Sequence, residues 1–359
     1  MKKTVVIGMS GGVDSSVAAI LLKEQGYNVI GLFMRNWDST INNDYLGNPN
    51  LDNDICPQEV DYNDALEVCK KLDIPLHRVD FVKEYWDNVF TYFLDELNKG
   101  RTPNPDVMCN KYIKFDAFVD KAKELGADYI ATGHYAKMID GKLYKAKDKN
   151  KDQSYFLAYV DKEKFKNVLF PLGDIEKPEV RKIALKYDLV TAKKKDSTGI
   201  CFIGERNFTK FLENYLPNIP GKIVNIDTNE VVGEHIGLMY YTLGQRRGLH
   251  LGGNHNRSFV VKKDLENNIL YVANGDDNKI LYSKEAIIEN FNFLTDNKIT
   301  DCQCKFRYRQ NDIACHVEYI DDKTLKVSYD NAKAVTPGQF CVLYDDDLCL
   351  GGGIIKEVR

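Results

Sequence analysis

The chain has 359 residues, of which 43% are apolar and 28% charged, and a formal net charge of −4. That length suits two or three domains of about 100–200 residues, and the mild acidity argues against a protein that simply coats nucleic acid with basic charge. No apolar run approaches the roughly 20 residues that cross a bilayer, and the apolar stretch of "MKKTVVIGMSGG" breaks at Ser10, too early for a signal-peptide core, so a cytoplasmic protein is expected. In chain order, "KTVVIGM" reads as a buried strand. "SSVAAILLKEQG" reads as a helix with Val17, Ile20 and Leu21 at helical spacing and a stop at Gly26. "YNVIGLFM" is a second strand, and the polar stretch 36–58 reads as a long mobile loop. "QEVDYNDALEVCKKLD" is helical, "PLHRVDF" is a strand, and "KEYWDNVFTYFLDELNKG" and "NKYIKFDAFVDKAKELG" are amphipathic helices before the strand "ADYIATGH". This alternation predicts an α/β fold with a parallel sheet covered on both faces, binding its ligand beyond the carboxyl ends of the strands. Gly8, Met34 and His134 all fall at such ends. "KLYKAKDKNKDQ" (142–153) reads as a solvated lysine loop, "KPEVRKIALKYDL" as a helix with Pro178 in its first turn, and "NFTKFLENYLP" as a short helix. From about 220 the pattern becomes strands separated by turns, and the last 80 residues or so read as a small antiparallel barrel.

The loop "SGGVDSS" lies between the first strand and the first helix. There, consecutive backbone N–H groups meet the positive end of a helix dipole. Gly11 and Gly12 let the backbone approach an anion closely, and Ser10, Ser15 and Ser16 add hydroxyls. No P-loop lysine is present, so the loop suits a pyrophosphate that leaves as a unit, and Asp14 reads as ordering the loop or helping to hold Mg²⁺. A tight turn with no ligand is the alternative. The nine cysteines show no disulfide-framework spacing and no C-x-x-C pair, so most read as small core residues, "CQC" (302–304) as part of a strand, and no metal site is expected. Two cysteines stand apart. In "NPDVMC", Pro105 makes Asn104 extended, which puts Asp106 near a helix N-cap and Cys109 within the first turn, where the dipole favours a thiolate. In "STGICFIG", Cys201 is flanked by glycines and follows Lys193, Lys194 and Lys195. Taken alone, either thiol also reads as a buried core residue, Met34 as core packing and His134 as structural. If "KFRYR" is a regular strand, Lys305, Arg307 and Arg309 share one face and Tyr308 takes the other.

"SGGVDSS" resembles the signature of the ATP-pyrophosphatase superfamily. The ordered set "GMSGGVDSSVAA", "GLFMRNW", "TPNPDVMCNKYIKF", "ATGHYA", "KDQSYFL", "DSTGICFIGERNF", "LGQRRGL", "RYRQ" and "VTPGQ" closely resembles the tRNA-specific 2-thiouridylase family along nearly the whole chain. It departs at Phe306 and in the lysine-rich stretch before "KDQ". The resemblance implies an adenine nucleotide alpha hydrolase-like parallel-sheet domain over 1–205, a small central domain over 206–275 and a C-terminal antiparallel β-barrel over 276–359. It implies that ATP, with Mg²⁺, adenylates the C2 oxygen of a wobble uridine, and that sulfur relayed by the protein replaces that oxygen. The nucleotide would meet Gly8, Met9, Ser10, Gly11, Gly12, Val13, Asp14, Ser15, Ser16, Met34 and Gly133. By the same resemblance Cys201 carries the persulfide, Cys109 is the nucleophile that releases it, and Asp106 is a general acid/base or orients the base. Asn104, Pro105 and Asp106 would meet the target base with His134 beside it, while Lys151, Asp152, Gln153, Arg307, Tyr308 and Gln339 would touch tRNA. The implied partners are the anticodon loop of a tRNA and a persulfide sulfur donor or carrier, with the protein acting as a monomer. Three other readings remain: an amidating ligase, which has no need of two thiols; an RNA-binding module with a vestigial nucleotide site; and an iron–sulfur cluster anchored by Cys109 and Cys201.

Overall fold

The computed structural model describes residues 2–48, 57–196, 207–251 and 257–359. Its first unit runs β1 (Thr4–Gly8), α1 (Val13–Glu24), β2 (Asn28–Arg35), α2 (Pro57–Lys71) and β3 (Leu76–Asp80). A helical stretch follows, α3 (Val82–Tyr85), a π-helical turn Trp86–Phe90, and α4 (Thr91–Asn98). A second begins with α5 (Pro105–Cys109), passes through a π-helical stretch Asn110–Ala117 kinked at Phe115 (φ −115°, ψ 16°), and ends with α6 (Phe118–Glu124). The helix read from sequence as starting at Asn110 is thus one run with the segment that holds Cys109. Then come β4 (Tyr129–Ala131), β5 (Ala136–Ile139), β6 (Lys142–Lys145), α7 (Ser154–Leu157), β7 (Val168–Leu169) and α8 (Lys177–Lys186). The sheet order is β3-β2-β1-β4-β7, with every neighbouring pair parallel. Val5, Val6 and Ile7 of the central strand are fully buried, as an unbroken apolar run between two helical layers requires.

Two expectations fail here for identifiable reasons. Lys142–Lys145 is a strand, not a solvated loop. Asp140 and Gly141, both at positive φ (49° and 74°), turn β5 back on β6 as an Asp-Gly hairpin does. Lys145 is buried with its ammonium 2.8 Å from the Asp312 carboxylate and over the Tyr344 ring. The polar stretch after β2 is also held in place as far as it is described. Trp37 sits among Tyr85, Phe90, Phe211 and Tyr215, and its indole N–H donates to Asp44 at 2.9 Å. Asn214 accepts from the backbone of Tyr45 and Leu46, which ties the stretch to the chain beyond α9 (Phe208–Leu212).

The central unit is a four-stranded sheet of β8 (Gly221–Asn225), β9 (Val231–His235), β10 (Ser258–Asp264) and β11 (Ile269–Asn274), in the order β10-β11-β8-β9. Its β11–β8 pair is parallel. The last unit holds β12 (Tyr282–Phe293), β13 (Asp301–Lys305), β14 (Ile313–Tyr319), β15 (Leu325–Lys333), β16 (Phe340–Asp345) and β17 (Leu348–Val358). They pair antiparallel in the order β12-β15-β14-β13-β16-β17, and β12 pairs again with β17 to close the barrel, so no edge is left open. The fold is therefore the expected parallel-sheet unit, small central unit and antiparallel barrel. The β5–β6 hairpin of the first unit extends the barrel sheet through Tyr144 and Leu348. Among the described residues no helix is long and apolar enough to cross a membrane.

Candidate functional site

The glycine loop is built as an uncapped helix start. Gly12 is the N-cap of α1, extended at φ −99°, ψ 164°, and has no side chain to cap with. The N–H groups of the first turn have no intrahelical acceptor, and here they gather at the end of β1. Gly11 has φ +70°, and a Cβ on it would lie 2.1 Å from the Asp61 carbonyl oxygen, so only glycine fits. The serines divide their work. Ser15 and Ser16 are buried, and both hydroxyls donate to the Gly12 carbonyl, at 3.1 and 2.8 Å. Ser15 Oγ also accepts from the Ser10 backbone N–H at 3.2 Å. They fix the shape of the loop, whereas Ser10 is exposed. Met9 and Val13 are buried anchors on either side, Met9 through its N–H to the Leu32 carbonyl at 3.0 Å. A Cβ on Gly133 would sit 2.8 Å from the Ser15 nitrogen, so the chain after β4 closes directly on the first turn of α1. A Cβ on Gly8 would be 3.7 Å from the Phe118 ring and 3.8 Å from Met34 Cε. Gly8 thus packs against Phe118 and Met34, and Gly133 against the first turn of α1, at neighbouring strand ends.

The positive charge absent from the loop comes from distant segments. Lys177, the first residue of α8, places its ammonium 2.8 Å from each Asp14 oxygen and 2.8 Å from Asp196. Tyr135 donates its hydroxyl to Asp14 at 2.8 Å. Asp196 also receives Lys151 at 2.6 Å and Arg181 at 2.7 Å. Burial alone would push the Asp196 carboxyl up, but hydrogen bonds from Lys151 and Lys177 and their charges outweigh it and hold it at about 2. Lys194 donates to the Gly11 carbonyl at 3.0 Å and to Asp61 at 2.7 Å, and contacts Asp64 as well, joining the loop to α2. Asp196 is the last described residue before the segment that contains Cys201, and Cys201 itself lies outside the described residues.

The second half of the site begins at Asn104, the N-cap of α5, whose side-chain oxygen accepts from the Val107 N–H at 3.3 Å. The cap is therefore Asn104, with Pro105 first in the helix and Asp106 second. Cys109 is fully buried in the same core cluster as Val6, Leu32 and Phe118. Asn110 donates to the Asp106 carbonyl at 2.9 Å, and its buried side-chain oxygen has no partner among the described residues. The helical run from Pro105 carries this end to Phe118, the ring against Gly8. His134 is buried, shares a 2.7 Å hydrogen bond with Thr132 and lies beside the Phe115 and Phe170 rings. Burial first, and the Lys114 charge second, hold it well below the usual histidine range, so it is neutral at pH 7.

The residues expected at tRNA form a seam where the first unit meets the barrel. Gln339 donates to the Thr102 and Pro103 carbonyls at 2.8 and 3.1 Å and accepts from Asn104 at 3.5 Å. The strand β13 stops at Lys305, and Phe306–Arg309 form a bend and turn, so Arg307 and Tyr308 are not bound to opposite strand faces. Arg307 is exposed and donates to the Ala334 carbonyl at 2.7 Å. Tyr308 donates to the Lys151 carbonyl at 3.3 Å. Asp152 is buried and serves the loop itself, accepting from the Ala146 N–H and the Ser154 hydroxyl. Gln153 exchanges two bonds with the Tyr135 backbone. Sequence reasoning missed Tyr155, whose buried hydroxyl donates to the Phe306 and Phe340 carbonyls at 3.3 and 3.0 Å. It joins the chain beside Arg307 to the chain beside Gln339. Lys177, Tyr135 and Asn110 were missed as well. Tyr155, Tyr135 and Asn110 lie inside "KDQSYFL", "ATGHYA" and "TPNPDVMCNKYIKF", whereas Lys177 lies in none of the motifs that carry the resemblance.

The family profile described as "tRNA methyl transferase HUP domain" matches residues 3–205. "tRNA methyl transferase PRC-barrel domain" matches 209–274, and "Aminomethyltransferase beta-barrel domain" matches 283–355. The chain is 59% identical to the tRNA-specific 2-thiouridylase MnmA of Mycoplasmopsis synoviae, over 99% of this chain and 96% of that protein. It is 58% identical to proteins of the same name from Mesoplasma florum, over 100% of both chains, and from Metamycoplasma arthritidis, over 100% of this chain and 97% of that one. Matched by these profiles in order and by these relatives from end to end, the chain belongs to the tRNA-specific 2-thiouridylase family.

Proposed function

We propose that this chain is an ATP-dependent tRNA-uridine 2-sulfurtransferase, acting in the cytoplasm on the wobble uridine of an anticodon loop. The observation that carries this reading is the single helical run from Pro105 to Glu124, which has Cys109 near one end and the Phe118 ring against Gly8 of the nucleotide crevice further on. A uracil C2 oxygen is a poor leaving group. Transfer of AMP from ATP onto it releases pyrophosphate to the glycine loop and makes the oxygen depart as AMP. The terminal sulfur of a Cys201 persulfide attacks C2, and AMP leaves. The Cys109 thiolate then attacks the Cys201 sulfur, so the S–S bond breaks toward the tRNA. The products are 2-thiouridine and a Cys109–Cys201 disulfide, which a two-electron thiol reductant must reopen before a second sulfur is loaded. Asp106, at the start of α5, orients the base or moves its proton. The uridine must leave the stack to reach these groups, and on this reading the seam of Asn104, Arg307, Tyr308 and Gln339 would receive the surrounding loop.

Mg²⁺ fits the site as a companion of the triphosphate, since such an ion needs only one or two carboxylates besides phosphate oxygens and water. Asp14 would be that carboxylate, and the ion would offset phosphate charge. An iron–sulfur cluster is usually held by four cysteines. No step proposed here needs a cluster. The test supplies purified protein with ATP, Mg²⁺, a persulfide donor and an unmodified tRNA transcript. Nucleoside mass spectrometry should find one 2-thiouridine per AMP and pyrophosphate released. Cys109→Ala and Cys201→Ala should each abolish it while tRNA-dependent ATP–pyrophosphate exchange continues. Thiolation by Cys201→Ala, or amidation of any acceptor at a comparable rate, would overturn the reading.

A further inference from the structure

We infer that Lys177 is the phosphate-binding cation of the nucleotide site, taking the place of the lysine that the glycine loop lacks. The inference rests on the nucleotide site proposed above and adds a residue to it. The Lys177 ammonium lies between two carboxylates, 2.8 Å from both Asp14 oxygens and 2.8 Å from Asp196. Its side chain is only 11% exposed. Asp14 belongs to the first turn of α1, where an anion seated on the open N–H groups would lie, so a small rotation of the flexible stem moves the ammonium from carboxylate to phosphate. Neither carboxylate is stranded by that exchange. Asp14 keeps the Tyr135 hydroxyl and the positive helix end, and Asp196 keeps Lys151 and Arg181. The backbone of Lys177 stays fixed meanwhile, because its N–H donates to Asp148 at 3.0 Å. Lys194 is less suited to this part. It sits on the Gly11 carbonyl and ties the loop to Asp61 and Asp64 of α2.

The test is calorimetric titration of full-length wild type, Lys177→Met and Lys177→Arg with pyrophosphate, ATP and AMP. Losing a charge-assisted bond to phosphate should weaken pyrophosphate and ATP about 10- to 100-fold in Lys177→Met. AMP should stay within about twofold, and Lys177→Arg should recover most of the loss. Equal weakening of all three ligands, or of none, would show that Lys177 only supports the fold. A Lys177→Met, Asp14→Asn double variant separates contact from neutralisation. Measured without Mg²⁺, so that the Asp14 change removes no metal ligand, weak binding of pyrophosphate by the double variant supports direct contact, and recovery to the wild-type value overturns it. Failure of the wild type to thiolate tRNA would instead remove the functional reading above. A wild type that thiolates, beside a Lys177→Met variant that binds pyrophosphate normally, would remove this inference alone.

Discussion

Replacing Gly133 by alanine tests whether the crevice is as closely fitted as its geometry indicates. The added Cβ would stand 2.8 Å from the Ser15 nitrogen, 3.0 Å from the Asp14 carbonyl carbon and 3.1 Å from Ser15 Cα. All three neighbours are backbone, so no side chain can rotate away. Gly133 does not have a left-handed φ, so the perturbation is steric alone. Overpacking of this kind costs about 1–3 kcal/mol. The strain is relieved by moving either the chain after β4 or the first turn of α1, and both moves disturb the N–H groups that would bind phosphate. If that whole cost falls on the nucleotide-bound state, the Kd for ATP rises about 5- to 150-fold. Gly126→Ala is the matched control. Gly126 has φ +79° and nothing within 4 Å of its added Cβ, so it incurs backbone strain of about 1 kcal/mol far from the loop. Calorimetric ATP binding and thermal unfolding of both variants decide the matter. Weakened ATP binding in Gly133→Ala alone is expected. Unchanged binding in Gly133→Ala, or equal weakening in both variants, would refute the claim that the chain after β4 shapes the phosphate seat.

Two further outcomes follow from the other contacts. Gln339→Ala removes both bonds to the Thr102 and Pro103 carbonyls. At about 1 kcal/mol for each bond, it should lower single-turnover thiolation about 30-fold while leaving ATP affinity within about twofold, as measured by quench-flow and titration. Lys263 donates to the Gly100 carbonyl at 3.0 Å, and burial lowers its pKa to about 8, against an unfolded value of about 10.4. Between those values the unfolded chain binds more protons than the fold, so stability is lowest below pH 8 and rises with pH. From pH 7 to 9.5 that gain is about 2 kcal/mol. Urea unfolding should show it in the wild type and not in Lys263→Met.

What could be read in the sequence was local. The run "KTVVIGM", the helix stop at Gly26 and the glycine pair each depend on near neighbours, and all appear where expected: β1, α1 and the loop between them. The misreadings have a common cause. In "KLYKAKDKNKDQ" the lysines suggested solvent, but Lys145 finds Asp312, 167 positions away, and partners at that distance leave no periodic trace. The Asp140–Gly141 pair was a usable hairpin signal, outweighed by charge. The stretch after Trp37 is irregular as expected, but it reads as mobile only because sequence does not show its polar residues satisfying one another: Trp37 with Asp44, and Asn48 with Ser39. Composition alone does not distinguish polar groups paired with each other from polar groups paired with water. Asp152 was read as exposed for the same reason.

The same separation in sequence bears on the chemistry. A lysine inside a phosphate loop follows directly from that loop's pattern, whereas Lys177 and Asp14 are 163 positions apart. A cation supplied from another helix, with carboxylates waiting to receive it back, has somewhere to go when the phosphate departs. A reaction that must discharge pyrophosphate whole on each turnover benefits from such a cation, because the returning carboxylates compete with the product for it. Asp196, one of those carboxylates, stands five positions before Cys201 in the chain. If Lys177 exchanges between phosphate and Asp196 as inferred above, the charge beside Asp196 changes with it.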